Sequence, residues 1–152
     1  MRINKDKAIE TALMMFTDKN WHCAESVLYG LLEGANISDK DAYITSMSGF
    51  NGGFGGTKNI CGALSGAAAG AGCLLGRYGN SVQDISLCSQ TCAKIYNAFN
   101  EHFTTVKCSE LTKDYEFSAP ERRTHCRNMV KFAVQDAADK INNAVKNYTE
   151  NK

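Results

Sequence analysis

Between Lys58 and Arg77 the chain runs without a charge, and in that stretch glycines recur at positions 62, 66 and 70. Four-residue spacing puts them on one face of a helix. Each interior glycine weakens a helix by roughly 0.5–1 kcal/mol relative to alanine. A helix written this way is stable only where a neighbouring backbone lies close against its bare face. This constrains the fold more than any other segment. The helix is expected from an N-cap at Asn59 to about Tyr78, at the centre of a helical bundle, its bare face meeting another helix of the same chain or of a homodimer. It is not a membrane span: it falls short of the ~20 mostly large apolar residues required, and most of it is Gly, Ala and Ser.

The remaining segments carry helical periodicity. Ile9, Ala12, Leu13 and Phe16 mark a first stripe. Asn20 is the expected N-cap of a second helix with Trp21, Ala24, Val27, Leu28, Leu31 and Leu32 inward, stopped by Gly34-Ala35-Asn36. A short third helix behind Asp39 holds Ala42, Ile44 and Met47. A fifth covers about Val82 to Phe103, with Cys88, Cys92, Ile95 and Phe99 on one side. Ser118-Ala119-Pro120-Glu121 reads as a capping box with proline in the first turn, opening a last helix through Cys126, Met129, Val130, Ala133, Val134 and Ile141. Thr104–Phe117 is a connection with one helical turn around Cys108. Proline occurs once, and alternating β-branched runs are scarce. The expectation is all-α: one domain over 1–152, a bundle of about five to six helices with the Gly/Ala-rich helix at its centre.

Net charge is +1, without the basic excess of a nucleic-acid binder. Arg122, Arg123 and Arg127 read as a solvated helix face. The polar start, Met1 to Lys7, lacks a signal-peptide core, so a cytoplasmic location is expected, where disulfides do not persist as staples. Seven cysteines are then informative: in a reducing compartment they point to metal, redox chemistry or buried apolar thiols.

The thiolate is the reactive and ligating form, and a helix N-terminus favours it. Cys23 and Cys61 fall just after the two expected caps. The glycine-rich loop Gly52-Gly53-Phe54-Gly55-Gly56 precedes Cys61, and its backbone N–H groups are candidates to hold a nearby negative charge or cofactor. Cys108 lies in the connection and Cys126 on the core side of the last helix. Cys73, Cys88 and Cys92 read as apolar filler. His22 and His125 each precede one of these cysteines and are candidates to add a nitrogen ligand. Spacing alone does not choose among metal, disulfide and packing roles. There is no Cys-x-x-Cys pair, and no Cys-x-x-Cys-His for covalent haem.

Three pieces resemble one family: Asn20-Trp21-His22-Cys23-Ala24-Glu25-Ser26-Val27-Leu28, then the loop Gly52–Gly56, then Cys61-Gly62-Ala63-Leu64-Ser65-Gly66. With Phe103…Cys108-Ser109-Glu110-Leu111 and Cys126 they are similar to the bacterial C_GCAxxG_C_C family of redox-active proteins. The resemblance implies that Cys23, Cys61, Cys108 and Cys126 are the characteristic set and that Cys73, Cys88 and Cys92 are extra. The family is also similar to part of the split-Soret cytochromes, which carry haem and an additional iron centre. Without a haem motif, only the iron centre carries over. Three readings follow. Four thiolates hold an iron–sulfur cluster, [2Fe–2S], that carries electrons for a redox partner protein. Alternatively, Cys61 attacks and Cys23 resolves in metal-free thiol–disulfide exchange. In the third, the cysteines hold structural zinc or simply pack.

Overall fold

The computed structural model describes residues 1–77 and 85–150. Among them lie seven helices: α1 (Lys5–Thr17), α2 (Cys23–Gly34), α3 (Asp41–Ser46), α4 (Gly62–Leu75), α5 (Ser86–Phe103), α6 (Cys108–Leu111) and α7 (Pro120–Glu150). The fold is all-α, with α6 as the turn expected around Cys108. The expected helix limits at Tyr78 and Val82 lie outside the described residues. No described helix is long and apolar enough to cross a membrane.

α4 sits against α2, α5 and α7, and α7 also reaches α1 and α2. The core joins Ala63, Leu64, Ala67 and Ala71 of α4 to Val27 and Leu31 of α2 and to Met129, Val130 and Val134 of α7. The bare face of α4 is met inside the chain, by α2. A methyl group at Gly66 would fall under 3.0 Å from the Ala24 carbonyl oxygen, and one at Gly70 would collide with the Leu31 side chain. Close backbone approach thus offsets the glycines' intrinsic penalty.

The loop before α4 is unusual in hand. Gly52, Gly53, Phe54, Gly55 and Gly56 all have positive φ, from 55° to 80°, making one left-handed turn. L-residues avoid this at about 1–2 kcal/mol each, so glycine at four of five positions is what permits it. Lys58, at φ 57°, is left-handed as well. Residues 58–61 pair antiparallel with 106–109 through an isolated bridge, Ile60 to Lys107. The Cys61 N–H donates to the Val106 carbonyl at 2.8 Å, and the Ser109 N–H to the Lys58 carbonyl at 2.9 Å.

Two expected caps are displaced. α2 is capped by His22, whose backbone N–H donates to the Glu25 carboxylate at 3.0 Å, while Asn20 takes a left-handed conformation in the turn from α1. α4 is capped by Cys61 itself, because Asn59 is engaged in the antiparallel pairing. At the start of α7, proline opens the helix directly.

Candidate functional site

Three of the four cysteines singled out by the resemblance stand at helix starts: Cys23 is the first residue of α2, Cys61 the cap of α4, and Cys108 the first residue of α6. Cys126 comes from the second turn of α7. All four line one cavity of about 260 Å³, together with Phe16, Gly52, Phe117, Arg122, Arg123 and Met129. Each neighbour has a local cause. Gly62 leaves room for the Cys23 sulfur, since a methyl group there would collide with it. A side chain at Gly53 would collide with Cys108, so the left-handed loop packs directly behind that residue. The 58–61/106–109 pairing brings Cys61 and Cys108 to the same end of the bundle.

Only Gly52 of the four loop glycines lines the cavity. Gly53 supports Cys108 from behind, and Gly55 and Gly56 point elsewhere. The loop spends part of its own polar groups internally: the Gly56 N–H donates to the Asn51 carbonyl at 3.0 Å. It shapes the pocket more than it cradles an anion.

Burial governs the thiols. Cys61 and Cys108 are buried, Cys23 and Cys126 half-buried. Desolvation, then the nearby Cys126 sulfur, pushes the Cys23 thiol up to about 11, against the opposing pull of the Ala24 N–H. Burial raises Cys61 further still, aided by Cys23 and countered by the N–H groups of Leu64 and Ala63. Cys126 is raised by burial and partly held back by Arg122. The helix-start N–H groups therefore reach Cys23 and Cys61 as expected, but their pull is smaller than the desolvation of an anion. Burial therefore favours the neutral thiol at Cys23, Cys61 and Cys126.

Sequence reading missed the two arginines. Arg122 and Arg123 were expected in solvent, yet both line the cavity. The Arg122 guanidinium stacks 4.4 Å from the Phe117 ring and donates to the Cys108 sulfur at 3.7 Å. Arg123 lies 4.1 Å over Phe16 and donates to the Phe16 carbonyl and, at 2.7 Å, to the Trp21 carbonyl. The signal was available: positions 122 and 123 are four and three residues before Cys126, hence on its face of the helix. Arg127 is exposed, as expected. His22 reaches the cavity, whereas His125 pairs with the Leu111 carbonyl at 2.8 Å and stacks on Tyr115.

Fold and site together define a helical protein built round a four-thiol pocket. The chain belongs to the C_GCAxxG_C_C family: the family described as "putative redox-active protein (C_GCAxxG_C_C)" matches residues 21–140. A protein of Archaeoglobus fulgidus, named only "uncharacterized protein", is 31% identical over 121 residues, covering 75% of this chain and 80% of its own length. No solved structure matches the chain.

Proposed function

We propose that this redox-family protein carries electrons through an iron–sulfur cluster of the [2Fe–2S] type, held by Cys23, Cys61, Cys108 and Cys126, in service of a redox partner protein. The observation that carries the reading is the shared cavity: four sulfurs from four separate helices line it. Four thiolates are what such a cluster takes. Neutral, desolvated thiols are poor nucleophiles, which disfavours metal-free exchange led by Cys61, but a coordinated metal removes the proton outright. Arg122 and Arg123 supply positive charge against the anionic thiolates.

The arrangement also weighs a cluster against single zinc. A zinc ion needs four donors about 2.0–2.3 Å from one point. Among the described residues no three His, Cys, Asp or Glu side chains are gathered that tightly. A cluster is a larger body, and its four thiolate ligands need not meet at one point. Bound there, it would take up and release one electron. The residues' own part is to bind it, to exclude water through the buried Phe16 and Met129, and, at Arg122, to donate a hydrogen bond to the Cys108 sulfur.

The test is metal and acid-labile sulfide analysis of protein purified without oxygen. About two irons and two sulfides per chain are expected, with visible absorption that dithionite bleaches. Serine at any one of positions 23, 61, 108 or 126 should abolish most of it, and serine at 73 should not. Stoichiometric zinc without sulfide, or no metal with seven titratable thiols, would overturn the reading.

A further inference from the structure

The three extra cysteines form a group of their own. Cys73 of α4 and Cys88 and Cys92 of α5 are half-buried cysteines outside any disulfide, with Cys73 near Cys88 and Cys92 against Ala68 of α4. Cys88 and Cys92 occupy positions i and i+4 of α5, so they share a face with Cβ atoms about 5–6 Å apart. The Cys88 side chain lies close enough to raise the Cys92 thiol. The Cys92 sulfur also lies 3.8 Å from the Ala68 carbonyl oxygen of α4.

Two neighbouring thiols can join in a disulfide or share a cation, and geometry decides between them. A disulfide wants Cβ atoms about 3.5–4.5 Å apart, so an i, i+4 pair must unwind the helix to form one. A bridging cation accepts the helix as it stands, which is how i, i+4 histidines on one helix face hold a metal. The identity of the cation follows from the surroundings. Zinc needs four donors, and among the described residues no three His, Cys, Asp or Glu side chains, Cys73 included, are placed to hold one ion together. Hard cations need oxygen ligands. Cys92 instead lines an apolar groove with Met47, Phe50, Phe54, Ile60, Leu64 and Tyr96, which offers few partners for coordinated water. Cu(I) is selected by thiolates and is satisfied by two of them.

We propose that Cys88 and Cys92 form a second metal site, separate from the four-cysteine pocket, that takes one Cu(I) ion between their sulfurs. Both thiols release their protons to solvent as two copper–sulfur bonds form. The single positive charge on copper leaves the site with a net charge of −1, and nothing changes oxidation state. Burial and the neighbouring Cys88 push the Cys92 thiol up to about 11, so Cys92 keeps its proton until the ion displaces it.

The proposal is tested on the full chain by adding one equivalent of Cu(I) without oxygen, alkylating briefly, and mapping each cysteine by peptide mass spectrometry. Cys88 and Cys92 should be protected together by at least tenfold in rate, and an equal amount of zinc should leave both reactive. In Cys92→Ser, whose thermal melting is checked against the parent, Cys88 should regain full reactivity in the presence of copper. The mapping on the unsubstituted chain stands even if the variant folds poorly. Equal reactivity of Cys88 and Cys92 with and without copper, protection confined to residues 23, 61, 108 and 126, or equal protection by zinc would each overturn the site.

Discussion

The two thiol groups of this molecule are assembled in opposite ways. Cys88 and Cys92 are neighbours by helix register, four residues apart on α5, and need little beyond that helix to meet. Cys23, Cys61, Cys108 and Cys126 come from α2, the cap of α4, α6 and α7. They meet only because α2 lies against the bare face of α4, a left-handed loop packs behind Cys108, and residues 58–61 pair with 106–109. The difference separates chemistry written locally from chemistry that exists only once the fold has closed. Damage to interhelical packing should therefore strike the pocket and spare the pair.

Gly62→Ala makes the sharpest cut between them. The added methyl would collide with the Cys23 sulfur and crowd the Phe50 carbonyl at 3.0 Å. A loss of about 1–3 kcal/mol is expected from overpacking, read by urea denaturation. Cluster iron should fall severalfold while copper protection of Cys88 and Cys92 persists. Equal loss at both groups would break the comparison.

A smaller effect of opposite sign is expected ten residues along the same helix. Nothing lies within 4 Å of where a side chain at Gly72 would begin. Gly72→Ala should raise stability by about 0.5–1 kcal/mol and leave both thiol groups unchanged. Destabilisation instead would mean that the close approach to α4 extends beyond Gly62, Gly66 and Gly70.

The smallest effect lies away from both groups. Glu33 of α2 bridges Lys7 and Lys40, each at 2.8 Å. Hydrogen bonds from Lys40, then Lys7, lower its carboxyl from 4.5 to about 2. A carboxyl lowered by folding contributes its stability above the unfolded pKa and loses it as pH falls toward the folded one. The contribution should be full above about pH 4.5 and fade toward pH 2. Glu33→Gln should flatten that stretch of the denaturation-midpoint curve by a small, salt-sensitive amount, as for other partly exposed ion pairs. An unchanged curve would remove Glu33 from the account.

Much of the bundle could be read from spacing. The four-residue glycine rhythm of α4 identified both its helical state and its need for a close neighbour, and α2 fills that role. Capping was less legible because the polar residues have competing uses. Asn20 serves a left-handed turn, and the Asn59 N–H donates to the Gly53 carbonyl at 2.7 Å, so His22 and Cys61 take the cap positions. Composition marked 52–56 as a loop, but not that its residues would wind left-handed with only Gly52 on the cavity. The state of the thiols was least legible. A cap position predicts a stabilised thiolate, whereas burial, a property of the whole fold, outweighs it at Cys23 and Cys61. Arg122 and Arg123 belong to a basic run that composition alone assigns to solvent, although helix register sets them beside Cys126 and aromatic rings hold them over the cavity.

The most direct test of the central claim is anomalous diffraction at the iron edge from crystals grown without oxygen. The account predicts an iron peak inside the pocket, with the sulfurs of Cys23, Cys61, Cys108 and Cys126 all within bonding distance of it. Iron held elsewhere, or a pocket whose four sulfurs bond no iron in crystals of freshly prepared anaerobic protein, would contradict it.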